Sequence, residues 1–288
     1  MIPNGYKRVT KANRCPVCGK PDWCLVACDR TSAVCKRIAS GSEFGRSGWY
    51  HDLVGTSTPG EYAPAPKSWT NTLPEIDAEA VFRELQGDLD PRLLEYHAEK
   101  LGLECVSLSA IGVGYYSRGL ALAFPMRDPF TNKIVGIRLR AEDGRKWAYA
   151  GSKSGLFYDT RILDDDFAVD TTTMYVCEGP TDTAALIELG FEFVVGRPSC
   201  NDGNQKVAQL IRSTKCKAVV IVSDSDEPGL AGADILAGEI RGMVESVKVI
   251  QPTGGAKDAR AWKQAGITMK RIESTAAAMS EWSGALTA

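Results

Sequence analysis

The chain contains 288 residues, of which 44% are hydrophobic and 24% are charged, and 34 basic residues nearly balance 36 acidic ones. This composition excludes wholesale disorder, and the length indicates two or three structural units. The sequence has no run of about 18 apolar residues and no apolar stretch near its start. We therefore expect no membrane span, no signal peptide and a cytoplasmic location.

Cysteine dominates the first segment, residues 1–56. Five of the nine cysteines lie between Cys15 and Cys35. Such clustering is typical of a metal site in a reducing compartment and not of a disulfide framework. Cys15 and Cys18 form a C-x-x-C pair followed by Gly19, which is the pattern of a zinc knuckle. We predict a small β domain, a zinc ribbon, with one structural zinc ion held by four protein ligands.

The second pair of zinc ligands must come from the rest of this segment. Two short strand-like runs carry Cys24 and Cys35, which are our preferred ligands. Cys28 is the second choice and His51 the third. A redox pair or a set of unconnected buried thiols is the alternative interpretation.

Charge is distributed unevenly along the chain. Formal net charge is about +5 for residues 1–56, about −6 for residues 57–113 and about +5 for residues 114–153. Two basic blocks predict two surfaces for a polyanion, although solvated faces are the simpler explanation of any charge run. In the first block, Trp23 and Trp49 offer stacking faces suited to single-stranded nucleic acid.

The next segments predict a linker followed by a mixed domain. Residues 57–75 are rich in Pro, Ser, Thr and Gly, which is typical of an extended linker. Asp77 begins a helical pattern, and Asp90-Pro91 begins a second one that ends at Gly102. Strand-like runs separated by turn residues then complete a basic α+β subdomain over residues 76–170. These runs cover 121–128, 133–143 and 145–151.

From Met174 the pattern changes to short apolar strands that alternate with helices. This alternation predicts an α/β domain with a doubly wound parallel sheet over residues 171–273. We expect the Ala-rich residues 274–288 to form a flexible tail. The predicted strands are 174–177, 193–195, 218–222 and 247–250, and a helix is predicted over 181–189.

Acidic residues follow three of these predicted strands. Glu178 and Asp182 follow the first, Asp224 and Asp226 follow the third, and Asp258 follows the last. Because the carboxyl ends of adjacent parallel strands meet at one crevice, we expect these carboxylates to converge. Oxygen-only ligands favour magnesium or manganese, and such a site suits phosphoryl transfer. Each acid taken alone has a plainer role in a turn or a helix cap, and for Asp182 the cap is an equal alternative.

Other chemistries find little support in the sequence. The chain has only 2 His residues and no Gly-x-Ser-x-Gly motif, which argues against a serine hydrolase. A phosphate-binding loop of the Gly-x-x-x-x-Gly-Lys-Ser/Thr type is also absent, so we expect no ATP-driven motor.

The order of these motifs resembles that of the TOPRIM primases of bacteria and phages. Glu178-Gly179, Asp182, Asp224-x-Asp226-x-x-Gly229 and Lys257-Asp258 are similar to the motifs shared by primases, topoisomerases and some nucleases. The Cys15-Pro-Val-Cys18 module resembles the zinc-binding domain at the front of primases. Residues 122–128, 136–138 and 146–152 resemble the basic N-terminal subdomain of the primase core.

The resemblance implies an enzyme that makes short RNA primers on single-stranded DNA from ribonucleoside triphosphates. In that reaction the 3′-hydroxyl of one nucleotide attacks the α-phosphate of the next, and pyrophosphate leaves. Basic residues are implied to line the nucleotide and template groove, namely Arg138 or Arg140, Lys146 and, less strongly, Lys153. The residues implied to surround magnesium are Glu178, Asp224, Asp226 and Asp258, with Asp182 in support.

This sequence departs from the family pattern in two respects. The second zinc pair is not the usual C-x-x-C, and no helicase domain follows the compact core. The second departure favours a stand-alone primase of a phage, plasmid or other mobile element, working with a separately encoded helicase or replication initiator. The alternatives are a TOPRIM nuclease and a non-catalytic protein that binds single-stranded DNA.

Overall fold

A computed structural model describes residues 5–44, 48–54, 76–163 and 169–283. The chain folds as two compact units, Met1–Thr72 and Leu73–Ala288. The predicted linker, residues 57–75, lies outside the described residues. No helix among the described residues is long and apolar enough to span a bilayer.

The first unit contains a four-stranded antiparallel sheet with its strands in sequential order. Its buried core is small and includes Val9 and Val26 together with three cysteines. A core of this size cannot stabilise a domain alone, so a bound metal would supply much of its folding free energy. The strands are β1 (Tyr6–Arg8), β2 (Leu25–Ala27), β3 (Ser32–Cys35) and β4 (Trp49–Asp52).

The second unit begins with three helices and an antiparallel sheet of order β5-β6-β7-β8. Asp77 and Asp90 cap the first two helices through their side chains, as predicted. Gly102 ends the second helix with a φ of 62°, a left-handed conformation that favours glycine. The elements are α1 (Ala78–Gly87), α2 (Pro91–Leu101), α3 (Cys105–Ile111), β5 (Gly114–Tyr116), β6 (Ala121–Arg127), β7 (Ile134–Ala141) and β8 (Lys146–Ala148).

The second unit continues with a parallel sheet of order β10-β9-β11-β12, which confirms the predicted α/β class with helices on both faces. Met174 and Val176 point into the core formed with α5 and α6, whereas Tyr175 and Cys177 point into the core formed with α4, α7 and α8. The strands are β9 (Thr173–Glu178), β10 (Val194–Arg197), β11 (Ala218–Val222) and β12 (Ser246–Ile250). The helices are α4 (Pro180–Glu188), α5 (Asn204–Ser213), α6 (Glu227–Ile240), α7 (Ala259–Gln264) and α8 (Met269–Ala278).

Residues 274–283 differ from the tail predicted over residues 274–288, of which residues 284–288 lie outside the described residues. Helix α8 continues to Ala278 and buries Ile272 and Ala276 against the sheet. Beyond it, the Trp282 indole N–H donates to Asp234 at 2.5 Å. The small residues read as a tail therefore form the packing side of a helix, because Ala can approach the sheet closely.

A short segment connects the two sheets of the second unit. The backbones of Arg127 and Leu156 exchange two hydrogen bonds of 2.8 Å, and Phe157 exchanges two with Gly196 at 2.9 and 2.7 Å. The segment thus pairs with the edge of β6 on one side and with β10 on the other. These bonds fix the antiparallel sheet against the parallel one, which positions the basic residues of β7 and β8 described below.

Candidate active site and metal centre

The structure brings the four preferred zinc ligands together. The sulfur atoms of Cys15, Cys18, Cys24 and Cys35 all lie within 4.8 Å of one another. The reserve candidates lie elsewhere, since the side chain of Cys28 is exposed and the His51 Nε2 atom is 3.0 Å from the backbone carbonyl of Ile38. Four sulfurs at this spacing fit a closed tetrahedral site that leaves no position for a substrate.

Backbone N–H groups surround these sulfurs. The amide of Lys36 donates to Cys24 at 3.4 Å, and the amides of Arg37 and Ile38 both donate to Cys35 at 3.3 Å. Donors of this kind stabilise thiolates, which is the form that binds zinc.

The first unit presents only one of its two predicted stacking residues. The side chain of Trp23 is 65% exposed, whereas Trp49 is buried with 7% exposure. Trp23 also has a φ of 66°, which is uncommon for a residue with a bulky side chain. The expectation for Trp49 is wrong because this residue lies in β4 with its side chain in the core.

Within the second unit, the predicted acids occupy the carboxyl edge of the parallel sheet. Glu178 is the last residue of β9, and Asp182 lies in the first turn of the helix that follows. Asp224 and Asp226 follow β11, and Asp258 follows β12 as the N-cap of α7. The sheet order places β9 beside β11 and β11 beside β12, so these residues meet at one end of the sheet as predicted.

Burial and mutual repulsion perturb three of these carboxyl groups. Desolvation, then the charges of Glu178, Asp258 and Asp226, raise the pKa of Asp224 to about 7. Desolvation and the neighbouring Asp258 also raise the pKa of Asp182 to about 7. Burial raises the pKa of Glu178 despite its neighbour Arg197. The carboxylates are therefore close enough to interact, and a cation among them would relieve the repulsion.

Asp226 and Asp258 belong to this acidic group and also cap helices. Each is a helix N-cap: one oxygen of Asp226 accepts from the Gly229 amide at 3.0 Å, and one of Asp258 accepts from the Ala261 amide at 2.7 Å. The second oxygen of Asp226 lies 3.4 Å from the ammonium group of Lys257. The capping bonds fix both side chains and still leave each an oxygen that can accept a further partner.

The acids fit a magnesium or manganese ion held partly by other ligands. Among the described residues, only the four cysteines place three or more ligand atoms within 4.8 Å of one another. The acids therefore form an open arrangement and not a closed cage. Magnesium usually takes one or two carboxylates and completes its shell with water and substrate phosphates. In addition, Glu178 Oε1 is buried without a hydrogen-bond partner, so its lone pairs remain available to a cation.

Two predicted basic residues of the antiparallel sheet lie near these acids. Desolvation lowers the pKa of Arg140, and the charges of Asp182 and Asp258 counteract this effect. Desolvation and Arg140 lower the pKa of Lys146, while Asp182, Asp224 and Asp258 raise it. The structure thus faces two cations toward the acidic edge, an arrangement that can hold a phosphate chain between the two sets of charges.

The other two predicted basic residues, Arg138 and Lys153, lie in different surroundings. The Arg138 guanidinium donates to the carbonyl of Pro198 at 3.2 Å, and Asp202 is its acidic neighbour. Lys153 lines a cavity of about 320 Å³ together with Asp77 and Glu79, and none of the predicted catalytic acids lines it. Arg138 is therefore tied to the loop after β10, and Lys153 is separate from the acidic group.

Comparison with known proteins identifies the fold. No family model matches the sequence, and no curated protein matches it. The solved structure of the zinc-binding and RNA polymerase domains of the Aquifex aeolicus primase matches with 13% identity and a TM-score of 0.57, covering 98% of this chain and 80% of that one. The E. coli primase catalytic core matches with 14% identity and a TM-score of 0.55, covering 71% of this chain and 80% of that one. This chain has the fold of a DnaG-type primase.

A further structure, a DnaG primase catalytic domain bound to single-stranded DNA, matches with 14% identity and a TM-score of 0.54. It covers 69% of this chain and 77% of that one. The resemblance inferred from the motifs is thus confirmed at the level of the fold. The four-cysteine cluster and the parallel sheet both belong to the matched region, since the Aquifex aeolicus alignment covers nearly the whole chain.

Sequence reasoning missed three features that position the acids in this primase fold. Arg197 is buried beside Glu178, with 3.9 Å between its guanidinium and the Glu178 carboxylate. The backbone amide of Arg260 donates to Asp182 at 2.9 Å. Ser225 donates twice to the loop after β12. Its backbone amide donates to the carbonyl of Lys257 at 2.8 Å, and its side-chain hydroxyl donates to the same carbonyl.

A glycine makes room for one of the acids. At Gly229, in the first turn of α6, an added Cβ would lie 2.7 Å from the Cβ of Asp224. Only glycine therefore lets the start of this helix approach the strand end so closely. The sequence signal was available, because Gly229 belongs to the Asp224-x-Asp226-x-x-Gly229 motif.

Proposed function

We propose that this chain is a DNA primase that synthesises short RNA primers on single-stranded DNA by nucleotidyl transfer. One observation carries the proposal: five acids converge at the carboxyl edge of the parallel sheet, opposite Arg140 and Lys146, within a primase fold. The matched DnaG structure with bound single-stranded DNA supports a DNA template. Ribonucleoside triphosphates as substrates are part of the same proposal.

Each group of residues has a distinct part in this reaction. Glu178, Asp224, Asp226 and Asp258 would hold magnesium or manganese, which when bound neutralises phosphate charge and activates the attacking hydroxyl. Asp182 is 4% exposed and accepts a hydrogen bond from the backbone amide of Arg260, so it stabilises the first turn of α7.

The basic side chains contribute opposite charge across the cleft. Arg140 and Lys146 lie near the acids and would attract the triphosphate of the incoming nucleotide. In the transfer, the 3′-hydroxyl releases its proton to solvent and its oxygen forms a bond to the α-phosphorus. The bond from the α-phosphorus to the oxygen that bridges to the β-phosphate breaks, and pyrophosphate leaves with the negative charge. Preorganised cations stabilise that charge without reorganising during the reaction.

We further propose that the first unit binds one structural zinc and helps to select the position on the template at which synthesis starts. The four clustered sulfurs support the zinc, and the exposed Trp23 offers a surface for an unpaired base. The functional division we propose is residues 1–56 for zinc binding, 57–75 for the linker, 76–170 for the basic subdomain and 171–273 for the catalytic domain. A phage, plasmid or other mobile element, with a separately encoded helicase or initiator, is the proposed context.

One assay separates this function from its alternatives. The full chain is incubated with single-stranded DNA, labelled ribonucleotides and magnesium, and products are resolved on a sequencing gel. New oligoribonucleotides support a primase, shortened template indicates a nuclease, and DNA retention without either product indicates a binding protein. We expect Asp224→Ala to abolish synthesis and Asp143→Ala, which alters an exposed hairpin acid, to retain it.

A further inference from the structure

Arg197 is the only Lys or Arg that is buried among the described residues, with 1% exposure. It ends β10 and pairs in register with Glu178 at the end of β9, so both side chains lie at the acidic edge of the sheet. Burying a guanidinium is costly unless it is fully paired. Here the pairing is incomplete, because Arg197 Nε and Glu178 Oε1 both lack hydrogen-bond partners.

The remaining contacts of Arg197 connect three parts of the site. Its Nη1 atom donates to the Asn204 side chain at 2.8 Å, to the carbonyl of Cys200 at 3.1 Å and to the carbonyl of Gly232 at 3.3 Å. The backbone carbonyl of Arg197 accepts from the amide of Gly179, the residue after Glu178, at 2.7 Å. Arg197 therefore connects the strand end that carries Glu178 with the loop after β10 and with helix α6.

Gly232 lies in α6, the helix whose N-cap is Asp226. A Cβ at Gly232 would lie 2.5 Å from the carbonyl oxygen of Cys200, so only glycine permits this approach. The close contact with Cys200 and the hydrogen bond from Arg197 together fix helix α6 against the loop after β10. One buried cation thus connects two of the carboxylates proposed to hold the metal.

The separation of 3.9 Å between Arg197 Nη2 and Glu178 Oε1 is too long for a hydrogen bond. Their charges still interact, because both atoms are buried and screening there is weak. The Glu178 oxygen thus keeps its lone pairs while its negative charge is partly offset. Asp224 has no fully buried cation beside it, since its basic neighbours Lys257 and Lys146 are both exposed to solvent.

We propose that Arg197 is a positioning residue with two effects: it fixes Glu178 relative to helix α6, and its fixed charge weakens cation binding at the Glu178 side of the site. This inference rests on the proposed function, since the cation it concerns is the one that primer synthesis would use. A purely structural arginine would make the opposite prediction for metal affinity, because its loss would loosen the site and weaken binding.

The test measures Mn²⁺ binding by electron paramagnetic resonance on the zinc-loaded full chain, together with primer synthesis. Arg197→Gln keeps a donor for Cys200 and Asn204 but removes the charge. It should bind Mn²⁺ three- to tenfold more tightly, while kcat for synthesis falls at least tenfold and KM for nucleotide changes less than threefold. Arg197→Lys should keep Mn²⁺ affinity within twofold of wild type and lose less kcat. Arg161→Gln, a control that removes a half-exposed arginine paired with Asp159, should change neither quantity.

The possible outcomes distinguish a failure of the Arg197 inference from a failure of the proposed primase function. Unchanged or weaker Mn²⁺ binding by Arg197→Gln, with primers still made by wild type, overturns the inference alone. If wild type binds Mn²⁺ but synthesises no primers, the proposed function is overturned. The comparison of Mn²⁺ affinity between wild type and Arg197→Gln then still tests the proposed effect of Arg197. Wild type that binds no Mn²⁺ overturns both.

A second pair of variants applies if Arg197→Gln does not fold. Because Arg197 offsets the charge of Glu178, Glu178→Gln should weaken Mn²⁺ binding less than threefold, whereas Asp224→Asn should weaken it at least tenfold. Equal losses in these two variants would contradict the proposed effect of Arg197.

Discussion

Replacing Asp224 with Asn should stabilise the metal-free protein at pH 8. The folded protein raises the pKa of Asp224 from 3.8 to about 7, mainly through burial and then through the charges of neighbouring acids. The native state therefore binds more protons than the unfolded state between about pH 4 and pH 7. Stability consequently falls as the pH rises through that window, and the cost is complete above pH 7.

The size of this effect follows from the shift. The difference between a pKa of 3.8 and a pKa of about 7 corresponds to about 4 kcal/mol of unfolding free energy, at about 1.36 kcal/mol for each pKa unit. Asp224 is only partly buried and Lys257 lies near it, so solvent screening reduces the expected gain to about 2 kcal/mol. Because Asn has nearly the same shape and no charge, the gain should be about 2 kcal/mol at pH 8 and less than half of that at pH 5.

Urea unfolding followed by circular dichroism, in magnesium-free buffer at both pH values, measures this difference. Asp143→Asn is the matched control, since Asp143 is exposed and its pKa is lowered by hydrogen bonds from Arg145. That variant should show no gain at pH 8. If Asp224→Asn is no more stable than wild type at pH 8, or gains equally at both pH values, the argument from a desolvated and repelled carboxylate is refuted.

Three further predictions concern the metal centre, the basic sheet and the helix start. Metal analysis should find about one zinc per chain. The Cys35→Ser variant should lose this zinc, whereas Cys28→Ser should keep it. Loss of zinc from Cys28→Ser would contradict the assigned ligands. Lys146→Met should reduce primer synthesis at least tenfold, and Lys153→Met should reduce it less than twofold; equal effects in a gel assay would refute the assignment of Lys146 to the site. Gly229→Ala should lower the urea midpoint and the activity together, because the added Cβ would push against the strand-end loop; wild-type behaviour in both measurements would show that the loop yields freely.

Features with local signals were predicted well from the sequence. Helix α2 begins at Pro91 after the capping Asp90 and ends before the left-handed Gly102, because capping side chains, proline and glycine act within a few residues. The acids were also predicted to converge, since a parallel sheet brings its carboxyl ends together whatever the distance along the chain.

Features that depend on tertiary contacts were not predicted. In the sequence Arg197 is a polar residue at a strand end, and its burial comes from contacts with Asn204 on α5 and Gly232 on α6. Helix α3 has no side-chain cap at Glu104 and forms through packing against α4. The residues after 273 have the small, Ala-rich composition of a tail, and only the sheet beside them explains why they continue a helix to Ala278.

Iron-mediated cleavage of the protein backbone tests most directly whether the acids meet at one cation. Fe²⁺ that occupies the site generates hydroxyl radicals with ascorbate and peroxide, and these cut the chain near the ion. The account predicts cuts near Glu178, Asp224 and Asp258 in the same sample, all suppressed by excess Mg²⁺ and all lost in Asp226→Ala. Cuts near only one of these residues, or cuts that Asp226→Ala removes at one position and leaves at the others, would contradict a shared site.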